Sequence, residues 1–394
     1  MIQTDEASRA ILTRATQLES VRVSLDLALG RILRAAAVAD VDSPPFDASA
    51  MDGYAARRAD FSQALRVVGK AQAGAIFSGT VQAGECVRIF TGAPVPVGAD
   101  CVLKQEDTAR TGDLVRITNI SPGSSFIRHR GENRQAGEVL VPAGTVLGPA
   151  ELAALANAGV TQPSVTRAPR CAHLLTGNEL VAPDRKPAGA QIRDSNSTLV
   201  AALIARHGAE LAGHARVDDD LAAARQAVES FPGHDVLLIS GGASVGDHDF
   251  ARPLLRALGY EVHFEQVNLR PGKPLVFASR GAQLAFALPG NPVSHWVTFQ
   301  LFVAPLLQKL QTGLDPTPLR LTGRLAPGTK LPPTDARRTF WPCRTTIVNS
   351  GHELTLLPLA SSGDSSGLVG ANALLPLPAN SLDPAQPIDF IPCP

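Results

Sequence analysis

The chain has 394 residues, 44% apolar and 18% charged, with 36 basic side chains against 36 acidic ones. That length exceeds one ordinary domain, and the composition is that of a globular chain and not a disordered one. Zero net charge and only 5% aromatic residues argue against a nucleic-acid surface or a base-stacking platform.

In chain order, the first residues, Met1-Ile2-Gln3-Thr4-Asp5-Glu6, are polar and acidic and lack a leader pattern. Ala7, Ile11, Ala15 and Leu18 recur at helical spacing, and Leu25 to Ala37 carries a second such run, so residues 5–37 are expected to be helical. Asp42-Ser43-Pro44-Pro45-Phe46 breaks the pattern. From about Val67 to Val141, short β-rich runs alternate with Gly and Pro turns and predict a small β insert. Helix returns from Pro149 to Gly159.

From Cys171 to about Leu310 strands and helices alternate, which predicts an α/β domain with a largely parallel sheet. Its central strand is the apolar run Val236-Leu237-Leu238-Ile239, followed by Ser240-Gly241-Gly242-Ala243-Ser244-Val245-Gly246-Asp247-His248-Asp249. After Gly313-Leu314-Asp315-Pro316 the chain becomes Pro-rich and helix-poor, with short strands that predict a small barrel or sandwich. The expected fold class is therefore α/β and β multidomain, with a central three-layer α/β domain at 169–314. A discontinuous helical domain at 1–45 and 138–168, an inserted β domain at 46–137 and a C-terminal β-barrel-like domain at 315–394 complete it. No apolar run approaches the length of a membrane span.

Ligands of open α/β sheets sit beyond the carboxyl ends of the strands. The polar and glycine-bearing segments fall at those ends: Thr176-Gly177-Asn178-Glu179, Asp218-Asp219-Asp220, Ser240 to Asp249, Arg270-Pro271-Gly272-Lys273 and Pro289-Gly290-Asn291-Pro292. Glycine lets backbone approach a ligand, helix N-termini favour anions, and carboxylates suit a divalent cation. Arg270 and Lys273 can supply a pair of cations to a phosphate or an oxyanion such as molybdate.

Three motifs in the first half read in two ways. Asp52, before Gly53, is either part of a capped turn or a loop-tip carboxylate facing a ligand. Thr91 either caps its turn or bonds a polar substrate, and Arg128-His129-Arg130 is either a solvated basic turn or an anion site. His295 and Trp296 read as helix-face residues and not ligands. The five cysteines, Cys86, Cys101, Cys171, Cys343 and Cys393, lie far apart with no C-x-x-C, which argues against a zinc site or disulfide framework and fits a reducing cytoplasm. No Walker A lysine motif, G-x-G-x-x-G, H-E-x-x-H or G-x-S-x-G is present.

Together these segments resemble the molybdopterin molybdenumtransferase family, which includes the corresponding domain of gephyrin. The resemblance spans nearly the whole chain. It rests on Ser49-Ala50-Met51-Asp52-Gly53-Tyr54-Ala55, Thr91-Gly92-Ala93-Pro94-Val95-Pro96, Ser240 to Gly246, Pro271-Gly272-Lys273-Pro274 and Leu288-Pro289-Gly290-Asn291-Pro292, in the family's order. It implies an elongated four-domain homodimer in the cytoplasm, with no nucleic-acid or membrane partner. The implied reaction inserts molybdenum from molybdate into adenylylated molybdopterin with Mg²⁺-dependent release of AMP. An upstream adenylyltransferase and acceptor molybdoenzymes are the implied protein partners.

By the same resemblance, Asp52, Thr91, Glu179, Asp218 and Asp249 are the catalytic candidates, and Asp218, Asp247 and Asp249 are the Mg²⁺ ligands. The substrate-binding set is Arg130, Gly241, Gly242, Ser244, Gly246, Arg270, Lys273, Pro289, Asn291 and Pro292. The chain departs from the family pattern at Asn133, where aspartate is usual, and at Arg270 and Gln266, where lysines are usual. These departures raise the expectation of a divergent paralogue tuned to another oxyanion or pterin. A molybdopterin adenylyltransferase and a non-catalytic scaffold are the alternative functions.

Overall fold

A computed structural model describes residues 1–120, 123–242, 250–317, 319–349, 351–377 and 386–393. The chain divides into two compact units, one of Met1–Val21, Gly30–Ile32 and Val165–Pro394, the other of Arg22–Leu29 and Leu33–Ser164.

In the first unit a six-stranded sheet runs in the order Glu210–Val217, Arg170–Thr176, Val236–Ser240, Gln283–Leu288, Pro274–Arg280, Glu261–Gln266. The first four strands are parallel, and the last two run antiparallel to their neighbours. All five residues of Val236–Ser240 are buried, as the uninterrupted apolar run requires of a strand covered on both faces. Residue alternation splits its side chains. Val236 and Leu238 join a cluster with Val200, Leu203 and Ile204 of helix Asn196–Arg206, whereas Leu237 and Ile239 meet Ala224, Val228, Leu254 and Leu255 on the opposite face. The sheet is thus the middle of three layers.

The amphipathic helix Thr4–Leu12 adds Ala7 and Ile11 to the first of these clusters, so it belongs to the core of the α/β unit. The helical run after Pro292 continues through a π-helical segment, Phe299–Val303, to Thr312 and stops at Gly313 in the left-handed region. At the C-terminal end, strands Leu321–Leu325, Arg338–Val348, Gly351–Leu356, Ala373–Leu377 and Ile388–Pro392 pair in a cycle and close a five-stranded barrel.

The second unit holds a six-stranded mixed sheet in the order Cys101–Lys104, Gly53–Ala56, Glu85–Ile89, Leu65–Ala71, Leu114–Ile117, Thr108–Thr111. Alternation again makes two faces, Ala55, Val87 and Val102 on one and Tyr54, Cys86 and Leu103 on the other. Helix Pro149–Asn157 lies near its end, as expected.

The second helical run expected in the N-terminal stretch does not form. Leu25–Leu27 is a single 3-10 turn and Ala37–Val38 is a strand. Leu27 and Leu29 are 62% and 60% exposed, while Ala28, Ile32, Leu33 and Ala37 are buried, so the apolar residues here are covered through turns and strand pairing and not along a helical stripe.

Candidate functional site

Strand register gathers the expected loops at one edge of the parallel sheet. Thr176 pairs with Val217, Leu175 with Ser240, and Ser240 with Leu288, so the carboxyl ends of all four parallel strands lie level. The two antiparallel strands bring their turn to the same edge, because Val276 pairs with Ala287 and Gln266 with Pro274. Glu179, Asp218, Gly241, Gly242, Lys273, Pro289, Asn291 and Pro292 therefore all follow or precede strand ends on this edge.

The turn after the central strand needs glycine. Gly241 has φ +92°, and an ideal Cβ there would lie 2.5 Å from the Thr176 carbonyl oxygen. Its neighbour across the edge is Gly290, whose own Cβ would lie 4.0 Å from the Gly241 Cα, so the two glycine turns face each other with no side chain between them. The first loop is tied to the second: the Asp219 amide donates to Asn178 Oδ1 at 3.1 Å. Of the three consecutive aspartates, Asp220 caps helix Leu221–Ser230 through the Ala223 amide, which leaves the exposed carboxylates of Asp218 and Asp219, with Asp218 next to the strand end. Glu179 is exposed and its carboxylate lies over Gly177, where a Cβ would come within 2.8 Å of it.

Ser244, Gly246, Asp247 and Asp249 lie outside the described residues. Two of the three expected metal ligands are thus not placed. Among the described residues no group of three or more His, Cys, Asp or Glu side chains comes together.

Arg270 and Lys273 share a turn with the cis Arg270–Pro271 peptide, but Arg270 is already engaged. Its guanidinium donates to the Pro333 carbonyl at 2.9 Å and reaches Asp335 at 3.5 Å. Arg337 sits on the same carboxylate at 2.5 Å and holds the Asp335 carboxyl down to about 2. Lys273 has no ion-pair partner among the described residues and is the less committed cation of the turn.

Two contributions to this edge were not among the residues singled out from the sequence. Ser362, from the barrel, accepts a hydrogen bond from Asn291 Nδ2 at 2.8 Å, and its carbonyl accepts from the Val293 amide at 3.0 Å. Asn196 donates to the Gly290 carbonyl at 2.7 Å. Both contacts join residues far apart in the chain, and only the Ser361-Ser362-Gly363-Asp364 composition hinted at a polar loop.

In the second unit Asp52 and Thr91 meet each other. Asp52 Oδ1 accepts from both the backbone amide and the hydroxyl of Thr91, each at 2.8 Å. The amide first, then the hydroxyl, holds the Asp52 carboxyl below the usual carboxylate range. The pair is exposed, beside Arg88, which spans the faces of Tyr54 and Phe90 at 5.2 and 4.7 Å. Thr91 is therefore both a turn-capping residue and the orienter of Asp52.

The basic turn is largely neutralised internally. Arg130 pairs with Asp42 at 2.5 Å, His129 reaches Asp47 at 3.4 Å, and Arg128 binds Glu132 at 2.9 Å and Asn133 Oδ1 at 3.1 Å. Arg130 is thus salt-bridged to Asp42 through Nε, with its side chain 67% exposed. Asn133 has an observed use, since its amide oxygen accepts from Arg128.

An α/β module with apposed glycine turns at its carboxyl edge, joined in one chain to a small β unit and a five-stranded barrel, defines a class. Residues 2–159 match the family model described as MoeA N-terminal region (domain I and II). Residues 172–309 match the one described as Probable molybdopterin binding domain. A molybdopterin molybdenumtransferase of Nostoc sp. is 39% identical over 306 residues, covering 75% of this chain and 70% of the relative. That of Staphylococcus aureus is 31% identical over 389 residues, covering 96% and 92%. The crystal structure of a molybdopterin biosynthesis MoeA protein from Pyrococcus horikoshii is similar with a TM-score of 0.81 at 28% identity, covering 100% of this chain and 99% of that one. The chain belongs to the molybdopterin molybdenumtransferase family, and its role as an enzyme lies in molybdenum cofactor biosynthesis.

Proposed function

We propose that the enzyme takes adenylylated molybdopterin and molybdate as substrates, inserts molybdenum into the pterin dithiolene and releases AMP. The observation that carries this reading is the apposition of the Gly241 and Gly290 turns at the strand ends, flanked by Glu179 and Asp218. Backbone free of side chains on both sides of a gap suits a flat, phosphate-bearing ligand, and the long helical run opening at Pro292 turns its N-terminus to the same edge.

Asp218, with Asp247 and Asp249, is the oxygen-donor set for Mg²⁺. The chemistry fits, because Asp218 is exposed at the edge while Asp220 is committed to its helix. When bound, the ion would neutralise charge on the cleaving phosphoanhydride. Lys273 is the candidate cation for the oxyanion, and Arg270 holds the turn against the 333–335 segment. Asp52, oriented by Thr91, is a second fixed carboxylate, contributed in a homodimer by the other subunit. A cytoplasmic enzyme of this kind would take its substrate from an adenylyltransferase and pass its product to acceptor molybdoenzymes.

The test is AMP release from purified protein given adenylylated molybdopterin, molybdate and Mg²⁺, followed by chromatography. AMP release should depend on molybdate and fall at least about tenfold in Asp218→Ala and Asp249→Ala, each of which removes a charge-assisted contact. Adenylate formation from molybdopterin and ATP, with no turnover of the preformed adenylate, would overturn the reading in favour of an adenylyltransferase.

A further inference from the structure

Three buried polar side chains lie directly under the two glycine turns. His173 is fully buried in strand Arg170–Thr176, and its Nε2 is 2.7 Å from Oγ of Ser240, the buried last residue before Gly241. His295 is fully buried in the helical run after Pro292, with Nδ1 3.2 Å from the Pro289 carbonyl oxygen. A carbonyl only accepts, so Nδ1 carries the proton and Nε2 the lone pair. Asn196, also buried, opens helix Asn196–Arg206 and donates to the next carbonyl, that of Gly290, at 2.7 Å. The two successive carbonyls of the Pro289-Gly290 turn are thus each held from below by a different helix, and the Ser240 hydroxyl by a neighbouring strand.

These contacts carry a cost. Among the described residues, His173 Nδ1, Asn196 Oδ1 and His295 Nε2 are buried without a hydrogen-bond partner. Each such atom costs about 1–3 kcal/mol, and apolar residues at the same positions would avoid it. Trp296, Val297 and Phe299 of the apolar core follow His295 in the same helical run. Three uncompensated polar atoms on residues that all grip one pair of turns call for a cause at those turns.

We propose that His173, Asn196 and His295 are positioning residues, which fix the Ser240-Gly241 and Pro289-Gly290 turns and so fix the gap that receives the adenylylated pterin. This rests on the function proposed above, in which those turns carry the substrate. Burial, with the proximity of His295 and of His214 stacked at 5.1 Å, keeps the His173 imidazole uncharged, and burial does the same for His295. The set therefore holds the turns by hydrogen bonds alone and adds no charge beneath the phosphates.

The decisive variants are His295→Leu, which removes the donor, His295→Asn, whose side-chain amide can donate from the Nδ1 position, and the near-isosteric Asn196→Asp, which replaces donor by acceptor. With adenylylated molybdopterin as substrate, His295→Leu and Asn196→Asp should raise KM about tenfold, the size of one lost hydrogen bond. kcat should stay within about threefold, because turn contacts are made alike in the ground and transition states. His295→Asn should restore KM. Hydrogen exchange of the full-length protein gives a readout independent of turnover: the amides of 240–242, 290 and 291 should exchange faster in the first two variants and at the wild-type rate in His295→Asn. If His295→Leu fails to fold, Asn196→Asp and His295→Asn carry the comparison. Unchanged KM and unchanged exchange in a folded Asn196→Asp protein, or His295→Asn behaving like a removal of the donor, overturns the proposal. A wild-type protein that releases no AMP sinks the reading of function, while the exchange result still decides the positioning role.

Discussion

Gly53 leaves no volume for a side chain: an ideal Cβ would sit 1.7 Å from the Leu103 carbonyl oxygen and 2.8 Å from its carbon. The obstacle is backbone of the paired strand Cys101–Lys104, which cannot swing aside as a side chain would. Gly53→Ala should therefore cost about 3 kcal/mol or more, the upper end for overpacking, read as a lowered urea midpoint. Because Gly53 follows Asp52, the same change should also disturb the Asp52–Thr91 pair. A second residue-scale effect follows from His295, fully buried and held down to about 4 from the ordinary 6.5. The folded protein keeps this imidazole neutral, while the unfolded chain protonates it below 6.5. Its contribution is thus fully present above 6.5 and is lost as pH falls toward 4, by about 3 kcal/mol in all. Urea unfolding across that window should show a steep acid limb. His295→Asn should make it shallower by one proton, the rest being shared with His173, His207 and His234, which burial also keeps neutral.

Among the elements, the strand Val236–Ser240 organises the α/β unit. Leu238 is fully buried against helix Asn196–Arg206, and Leu238→Ala should cost about 2–5 kcal/mol, with Ile347→Ala, 77% exposed on the barrel, as a near-neutral control. Calorimetric midpoints of the two variants check this. The same strand shows what the sequence can carry. A run of apolar residues ending in Ser-Gly-Gly is a local pattern, and it correctly predicted a strand buried on both faces with a tight turn after it. Leu25 to Ala37 carried an equally local pattern and misled: Ala28, Ile32, Leu33 and Ala37 are buried, but not along a helix, since Leu33 and Ala37 pair with the distant 139–145 segment, and Leu27 and Leu29 remain at the surface. The edge loops were legible for the first reason. The partners of those loops were not: Arg270 with Asp335, Asn291 with Ser362 and Gly290 with Asn196 are pairings across long stretches of chain, set by register and domain packing. His295 was read as an ordinary helix-face residue, and its burial is right, but its grip on the Pro289 carbonyl appears only once helix and turn are placed.

At the scale of the molecule, the two units differ in how self-sufficient their cores are. The sheet of the second unit is covered by two clusters, and every residue of both, from Tyr54 to Ile127, belongs to that unit. The α/β sheet is not covered in this way by its own segment. Its larger cluster takes Ala7 and Ile11 from the N-terminal helix and Phe340, Leu374 and Cys393 from the C-terminal barrel, packed with Leu269, Trp296 and Phe302. A fragment of residues 33–164 should therefore fold alone, with a cooperative thermal transition by circular dichroism. A fragment of residues 169–314 should not, since cutting it out removes part of the cover from one face of its sheet and leaves the Val293 amide and the Asn291 side chain without Ser362. A cooperative transition in the 169–314 fragment at the temperature of the full chain would mean that the barrel and the N-terminal helix only decorate the α/β core. The shared cluster predicts the opposite: the barrel and the α/β sheet should melt together, because Phe340, Leu374 and Cys393 of the barrel segment lie in the same apolar cluster as the sheet's own side chains.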